Sequence, residues 1–562
     1  MNKKWECYEI DEEKVEKIAR KYNVSKLLAK ILINRDLVED DKINVFLNPT
    51  RRDFHNPYLM PDMEKAVDRI VKAIENKEKM IIYGDYDVDV IKSITVLKKF
   101  LLDRNSIVTE YIPDRLNEGY GLNKEAIKKI VDEGNQLMIT VDCGISGIEE
   151  IDYANSLGLE TIVTDHHEPG KVLPNAIAVV DAKRKDNKYP FNQLAGVGVV
   201  FKLIQAIGQK LNLEEKEYLK YLDIVCIGTI SDIVPLVDEN RVIAKLGIKL
   251  VEVTKNIGLK TLLDVSGYKT VDSTTISFGL APRINACGRM GHAEEGLKLF
   301  LTEDIKEAQE IAKRLNEYNK ERQETEKRIF DEALVEIEKQ KEEKNVIVLG
   351  KEGWHHGVIG IVSSKVTEMY FKPSILICFE EDGIGKGSGR SVPGFDLYEA
   401  LSKCNNNIDR FGGHSMAIGI TVAKENFEAF KKDFEEYAQN SNISDIIPII
   451  NIDEEVEAKD ISVRAVAELS MLEPFGEANK MPLFLYKNLK INSIRALSEG
   501  KHIKLTLKDD NFLIDAIGFN LGYLTEEYRI GDKIDVVGTL EINRFNGIES
   551  VQINLKDIRK SY

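Results

Sequence analysis

At 562 residues the chain is long enough for several domains, and 43% hydrophobic beside 31% charged residues is an ordinary globular composition with no apolar run near the roughly 18 residues of a membrane span. Six scattered cysteines (7, 143, 226, 287, 378 and 404) argue against a disulfide framework or a zinc knuckle and suit a reducing cytoplasm, and the opening MNKKWECYEIDEEKVEKIARKYN lacks the apolar stretch of a signal peptide. A net charge of −16 argues against coating nucleic acid by simple electrostatics but leaves room for a local basic channel.

Residues 1–75 read as short helices with a loop at NPTRRDFHNPYLMPDM, and are expected to form the N-terminal helical part of a catalytic domain. From 76 to 302 the pattern is α/β. Short apolar strands at 79–85, 106–114, 136–144 and 159–167 alternate with helical stretches, as in a parallel sheet buried on both faces. Residues 303–345 contain no Pro or Gly and repeat apolar positions at helical spacing, which predicts one long helix between two domains rather than a coiled coil. A second α/β unit, 346–440, is rich in glycine: GWHHGVIG, GKGSGRSVPG, RFGGHSMAIG. The last segment, 447–562, alternates with period two, and Asn546-Gly547 is a hairpin signal between two of its strands. Five or so such strands suggest a small β-barrel of OB-fold type. Residues 486–562 hold 12 Lys/Arg and 11 Asp/Glu, so this module escapes the acidity of the whole.

The chemistry concentrates at strand ends. YGDYDVDV places Asp85, Asp87 and Asp89 directly after an apolar run, and like charges this close resist ionising together unless something offsets them. LMITVDCG delivers Asp142, ETIVTDHH delivers Asp165, His166 and His167, and Asp232 follows the apolar run in IVCIGTISDIVPL. An Asp at a strand end is often only a cap or turn residue. Three coordinated strand ends in a parallel sheet, where sites form at the carboxyl ends, point instead to a site. Hard carboxylates mixed with imidazole suit Mn²⁺ or Mg²⁺ better than zinc, and two such ions would activate a water and steady the leaving oxygen of a phosphodiester.

YGDYDVD, VDCGISG, VTDHHEPG and IGTISDIVPL resemble the four motifs of the DHH phosphoesterase superfamily. LAGVGVVFKL, LAPRINACGRMGHA, LNEYNKERQ, GWHHGVIGIVSSKV, GSGRS, FGGHSMAIG and LEPFGEAN resemble the RecJ family within it, the single-strand-specific 5′→3′ DNA exonucleases, over nearly the whole chain. The resemblance implies a parallel-sheet DHH domain, a connecting helix, a DHH-associated domain and an OB-fold. It implies that Asp87 binds one of two Mn²⁺ or Mg²⁺ ions, that Asp89, His166 and Asp232 bind the other, and that Asp142 bridges both. His167 would sit beside the scissile phosphate, and Asp85 would organise the turn. Arg390, His414 and the glycine backbone would hold the nucleic acid. For the 5′ end, which calls for bidentate guanidinium, the candidates are Arg115, Arg283 and Arg289, with Ser364. In the barrel, Lys501, Lys504, Lys508, Arg544 and Phe545 are candidates for strand contact. The resemblance further implies single-stranded DNA as substrate, 5′-mononucleotides as products, single-strand-binding protein and a RecQ-type helicase as partners, and a monomer.

Two positions depart from the family pattern. Val90 stands where glycine is expected and Lys92 where threonine is expected. If the turn needs φ > 0, a β-branched residue there misplaces Asp89, and a lysine beside the metals would bind phosphate or compete with the ions. Two rival functions are an oligoribonucleotide or cyclic-dinucleotide phosphodiesterase, against which the barrel counts, and a non-catalytic single-strand-binding protein with a site impaired at Val90 and Lys92.

Overall fold

The computed structural model describes residues 3–113, 121–340, 344–441, 443, 446–509, 512–545 and 547–561. The catalytic domain is built on five parallel strands in the order Ile107–Tyr111, Lys79–Tyr83, Leu137–Val141, Glu160–Thr164, Ala178–Val180. Leu137–Val141 is buried along its whole length, the reason these strands read as unbroken apolar runs. The fifth strand is only AVV, too short to announce itself in sequence. Helices Val88–Leu102, Gly196–Lys210 and Leu222–Ser231 pack against one another and contribute to the same core as the sheet.

The helix Ile305–Glu338 has 34 residues, about 50 Å at 1.5 Å per residue. Asp304 caps it, accepting from the N–H groups of Lys306 (2.7 Å) and Glu307 (3.4 Å). Its first half buries Ala308, Ile311, Ala312 and Leu315 in the catalytic core; its second half buries Ile329 and Ala333 against Ile347, Val358 and Val362 of the next domain. One element thus belongs to two cores, which fixes the domains relative to each other. The second domain carries a mixed five-stranded sheet, Arg410–His414, Ala417–Ala423, Ile384–Arg390, Ser374–Phe379, Ile347–Glu352.

The C-terminal strands Phe484–Leu497, His502–Asp509, Phe512–Gly518, Lys533–Phe545 and Ile548–Lys560 close into a barrel, because the first pairs with both the second and the fourth. Phe545 pairs with Ile548 across the hairpin end; Asn546 lies outside the described residues.

The first 75 residues divide differently from expectation. Helix Met63–Asn76 packs into the catalytic core, but Glu12–Tyr22, Lys26–Asn34 and Asp40–Leu47 share a core with the barrel, and strand Lys4–Cys7 pairs in parallel with Ile449–Ile452. Helical periodicity shows that a face is covered, not which distant core covers it. Arg241, fully buried on the catalytic side, locks this arrangement. Its guanidinium donates to the carbonyls of Phe46 (2.7 Å), Met471 (3.3 Å), Glu473 (2.9 Å) and Pro474 (3.4 Å).

Candidate metal centre

The strand order reverses between Lys79–Tyr83 and Leu137–Val141, so a crevice opens at the carboxyl ends of these two strands. Asp87 caps helix Val88–Leu102, its Oδ1 accepting from Val90 N–H at 3.0 Å. Asp89, in the first turn, points inward and accepts from the N–H groups of Gly196 (2.7 Å) and Val197 (3.0 Å) at the start of a second helix. That approach needs glycine: a Cβ on residue 196 would lie 2.7 Å from the Asp142 carboxyl carbon, and one on residue 228 would lie 2.9 Å from Asp89 Oδ1. Asp142 follows its strand directly in a left-handed conformation, φ 57°, which aspartate tolerates better than most residues. Asp232 ends helix Leu222–Ser231, the pole where a carboxylate is disfavoured by the aligned backbone dipoles.

His166 Nδ1 lies 3.1 Å from the carbonyl of Leu194, which fixes it as donor and turns Nε2 toward Asp142 Oδ1 at 2.9 Å and Asp232 Oδ2 at 3.8 Å. Burial pushes its pKa down to about 4, so the ring is neutral and supplies a lone pair rather than a charge. His167 has the opposite character. Its Nδ1 is 2.7 Å from Asp165 Oδ1, and this hydrogen bond raises its pKa. Asp165 also accepts from the N–H groups of His166, His167 and Ile145 (2.8, 3.1 and 2.9 Å). Burial opposes its charge, but these hydrogen bonds outweigh burial and hold it ionised. His167 Nδ1, being committed to Asp165, leaves Nε2 as the atom with which this half-buried ring meets an ion or a phosphate. Asp85 accepts from Tyr86 N–H at 2.8 Å, within the turn.

Burial raises the pKa of Asp87, Asp89, Asp142 and Asp232, the last to about 7, and each of the latter three is raised further by neighbouring carboxylates. Among the described residues none of the four forms an ion pair with a lysine or arginine. Asp142 Oδ1 is buried and accepts no well-directed hydrogen bond, although His166 Nε2 is near. Ligand atoms of Asp89, His166 and Asp232 all lie within 4.8 Å of one another, as do those of Asp142, His166 and His167. Four converging carboxylates with one neutral imidazole fit hard divalent cations such as Mn²⁺ or Mg²⁺.

The departures at 90 and 92 do not disturb this centre. Val90 lies inside the helix and is not among the residues with positive φ. Its Cγ1 lies only 2.4 Å from where a Cβ on residue 84 would stand, so Gly84 makes the room it occupies. Lys92 is fully buried with Nζ over the ring of Phe300, away from the ligands. Nζ has no hydrogen-bond partner among the described residues, and burial pushes its pKa well down. Wholly buried over an aromatic ring, the amine is out of reach of a phosphate in solvent.

A cleft of about 590 Å³ opens from Asp87 toward the second domain, lined by Asn285, Arg289, His356, Lys386, Ser388 and Arg390. Arg289 Nη1 donates to the Gly357 carbonyl (2.9 Å), and Arg390 Nη1 to Ser388 Oγ (3.0 Å) and the Gly389 carbonyl (2.8 Å). Of the other expected contacts, Arg283 is turned onto Asn316 and the Gly279 carbonyl, Ser364 bonds back to Gly360 in its own helix, and His414 is exposed on an edge strand; none lines the cleft. Arg115 lies outside the described residues. Asn285, His356 and Lys386 were not singled out from sequence; the only signal was their place inside the quoted glycine-rich and arginine-rich stretches. In the barrel, Lys504 pairs with Asp515 (2.9 Å) and Arg544 with Glu549 (2.8 Å), while Lys501 and Lys508 are exposed. The Phe545 side chain lies outside the described set.

Family models match in the same order: the DHH family N-terminal domain over residues 79–229, the DHHA1 domain over 343–440 and the RecJ OB domain over 452–557. The single-stranded-DNA-specific exonuclease RecJ of Bacillus subtilis is 40% identical over 559 residues, 99% of this chain and 70% of that protein. The chain belongs to the RecJ family. RecJ of Thermus thermophilus, solved in complex with Mn²⁺, superposes with a TM-score of 0.87 at 29% identity, covering 100% of this chain and 80% of that one. The same RecJ was also solved with Mg²⁺ and gives 0.82 at 27% identity.

Proposed function

We propose that the chain is a metal-dependent exonuclease that removes 5′-mononucleotides from single-stranded DNA in the 5′→3′ direction, in DNA repair and recombination. The observation that carries this reading is the carboxylate cluster, unpaired with lysine or arginine among the described residues, opening on its Asp87 side into a cleft walled by Arg289, Lys386 and Arg390. A terminal phosphate in that cleft, held by guanidinium forks, sets the scissile phosphate over the cluster. Asp87, Asp89, Asp142, His166 and Asp232 would hold the divalent cations. When bound, the two cations supply Lewis acidity and an activated water. His167, whose hydrogen bond to Asp165 favours its protonated form, stands where it can donate to the phosphoryl oxygens as they gain negative charge. Asp165 orients that ring and Leu194 orients His166. Gly419 in the cleft wall, where a Cβ would stand in open space, lets backbone approach the phosphate. The barrel favours a long strand over a dinucleotide as substrate.

Family membership and the free cysteines at all six positions lead us to place the chain in the cytoplasm, acting as a monomer with single-strand-binding protein and a RecQ-type helicase. No helix among the described residues is long and apolar enough to cross a membrane. The deciding measurement uses 5′- and 3′-labelled single strands with Mn²⁺. The 5′ label is expected to leave first, as mononucleotide; release of the 3′ label first, or equal attack on blunt duplex, overturns the reading.

A further inference from the structure

A second cleft, about 1120 Å³, adjoins the first beside the metal centre. It shares Asn285 and Arg289 with the first, and Ser231 and Ile233, which flank Asp232, lie in its wall. Its other walls are the turn Thr275–Leu280, the long helix and residues 475–481 leading to the barrel.

Two features of the catalytic-domain wall have no role in packing. Phe278 is 72% exposed. It sits in a six-residue π-helix, a form that is rare and concentrates at functional sites. Ile233 is 71% exposed and holds φ 60°, a left-handed backbone that a β-branched residue adopts only where its surroundings enforce it. The facing wall is cationic. Glu326, buried on the long helix, pairs with Arg322 Nη1 at 2.5 Å and with Lys365 Nζ from the second domain, which fixes both cations at the cleft. Apolar and aromatic surface on one side and fixed positive charge on the other matches a single strand lying with bases toward one wall and phosphates toward the other.

We propose that Phe278 is a stacking platform for a base on the 3′ side of the scissile phosphate, with Ile233 packed against the same nucleotide, so that the strand is gripped by an unpaired base before each cleavage. The proposal rests on the nuclease reading given above. Because every base has a π-face, the grip is independent of sequence; because a paired base has no free face, it requires an unpaired strand.

The test uses the full chain with Mn²⁺ and 5′-phosphorylated oligonucleotides, one intact and a series each lacking the base at one successive position from the 5′ end. Phe278→Ala is expected to weaken binding of the intact strand about tenfold by anisotropy, with the kinetic loss in KM rather than kcat. Phe278→Trp should restore both, which separates stacking from misfolding. In the parent, one abasic position should cost a similar factor, and at that position Phe278→Ala should add nothing further. Equal affinity of parent and Phe278→Ala for the intact strand, or additive losses at every abasic position, would overturn the proposal. A parent that binds but does not cut refutes the nuclease reading instead, and the same titrations then still decide the role of Phe278.

Discussion

Behind the metal centre, in the same domain, Lys202 Nζ and Glu239 Oε1 lie 2.6 Å apart with both side chains wholly excluded from water. Every charge there has a partner in the chain. Glu239 also accepts from Tyr189 OH and from His55 N–H (3.1 Å), and Lys202 donates to the His55 carbonyl (2.7 Å). At the mouth of the sheet, Asp87, Asp89, Asp142 and Asp232 crowd together with no lysine or arginine paired to any of them among the described residues, and burial, joined for the last three by repulsion from neighbouring carboxylates, raises their pKa values. A buried pair that balances itself holds the fold together. A buried cluster that does not is waiting for charge from outside, and its destabilising repulsion is the mark of that role.

The sharpest way to break this contrast is at Asp142. An asparagine keeps the left-handed backbone and removes one charge. Losing an outer-shell partner of a metal ligand typically costs 10–100-fold, so a proposed bridging ligand should cost about 100-fold or more in hydrolysis of labelled single strands. In EDTA the same variant should melt no lower than the parent, because a repelling carboxylate is gone, and the rise in melting temperature on adding Mn²⁺ should shrink. Retention of a tenth of the parent rate would show that Asp142 is no ligand.

Glu239→Gln probes the balanced cluster and should behave in reverse. It leaves Lys202 buried without a counter-charge, which costs about 3–5 kcal/mol for a broken buried pair. The melting temperature should fall, while hydrolysis per folded molecule and the Mn²⁺-induced shift remain. A loss below about 1 kcal/mol would mean that the pair is not structural.

The smallest effect is expected at Lys92, where an amine is buried over the Phe300 ring with no hydrogen-bond partner among the described residues. Lys92→Met conserves volume and removes an unsatisfied donor, for a gain of about 1–3 kcal/mol in stability with activity unchanged. A lower melting temperature would reveal a partner for the amine. Val90→Gly with Lys92→Thr is not expected to raise activity, since it empties a packed site under the helix that carries Asp87 and Asp89.

The aspartates were legible because Asp142 and Asp165 directly follow apolar strands and Asp85, Asp87 and Asp89 crowd the turn after another, and the carboxyl end of a parallel strand is a fixed place in three dimensions. The long helix and the barrel were legible from period alone. What Val90 and Lys92 do was not: the former depends on a glycine six residues earlier across a turn, the latter on Phe300, brought over from a helix two hundred residues away. Asp165 could not be told from a ligand by spacing, since only its hydrogen bonds to His167 and three backbone groups show it to be the support of that ring. Cleft residues such as Lys386 are surface lysines in one dimension.

The parallel pairing of Lys4–Cys7 with Ile449–Ile452 has a consequence for how the chain is made. The catalytic domain can fold as it emerges, but the three helices ahead of it cannot bury their apolar faces until the barrel exists. Roughly 440 residues separate the paired strands, so at about 5–20 residues per second a ribosome takes on the order of 20–90 s to deliver the second. During that interval Leu28, Ile31 and Leu32 have no core to enter. This early segment is among the last to settle, and a nascent chain stalled before residue 449 would carry a folded sheet at its centre and, ahead of it, helices whose apolar faces have no core to cover them.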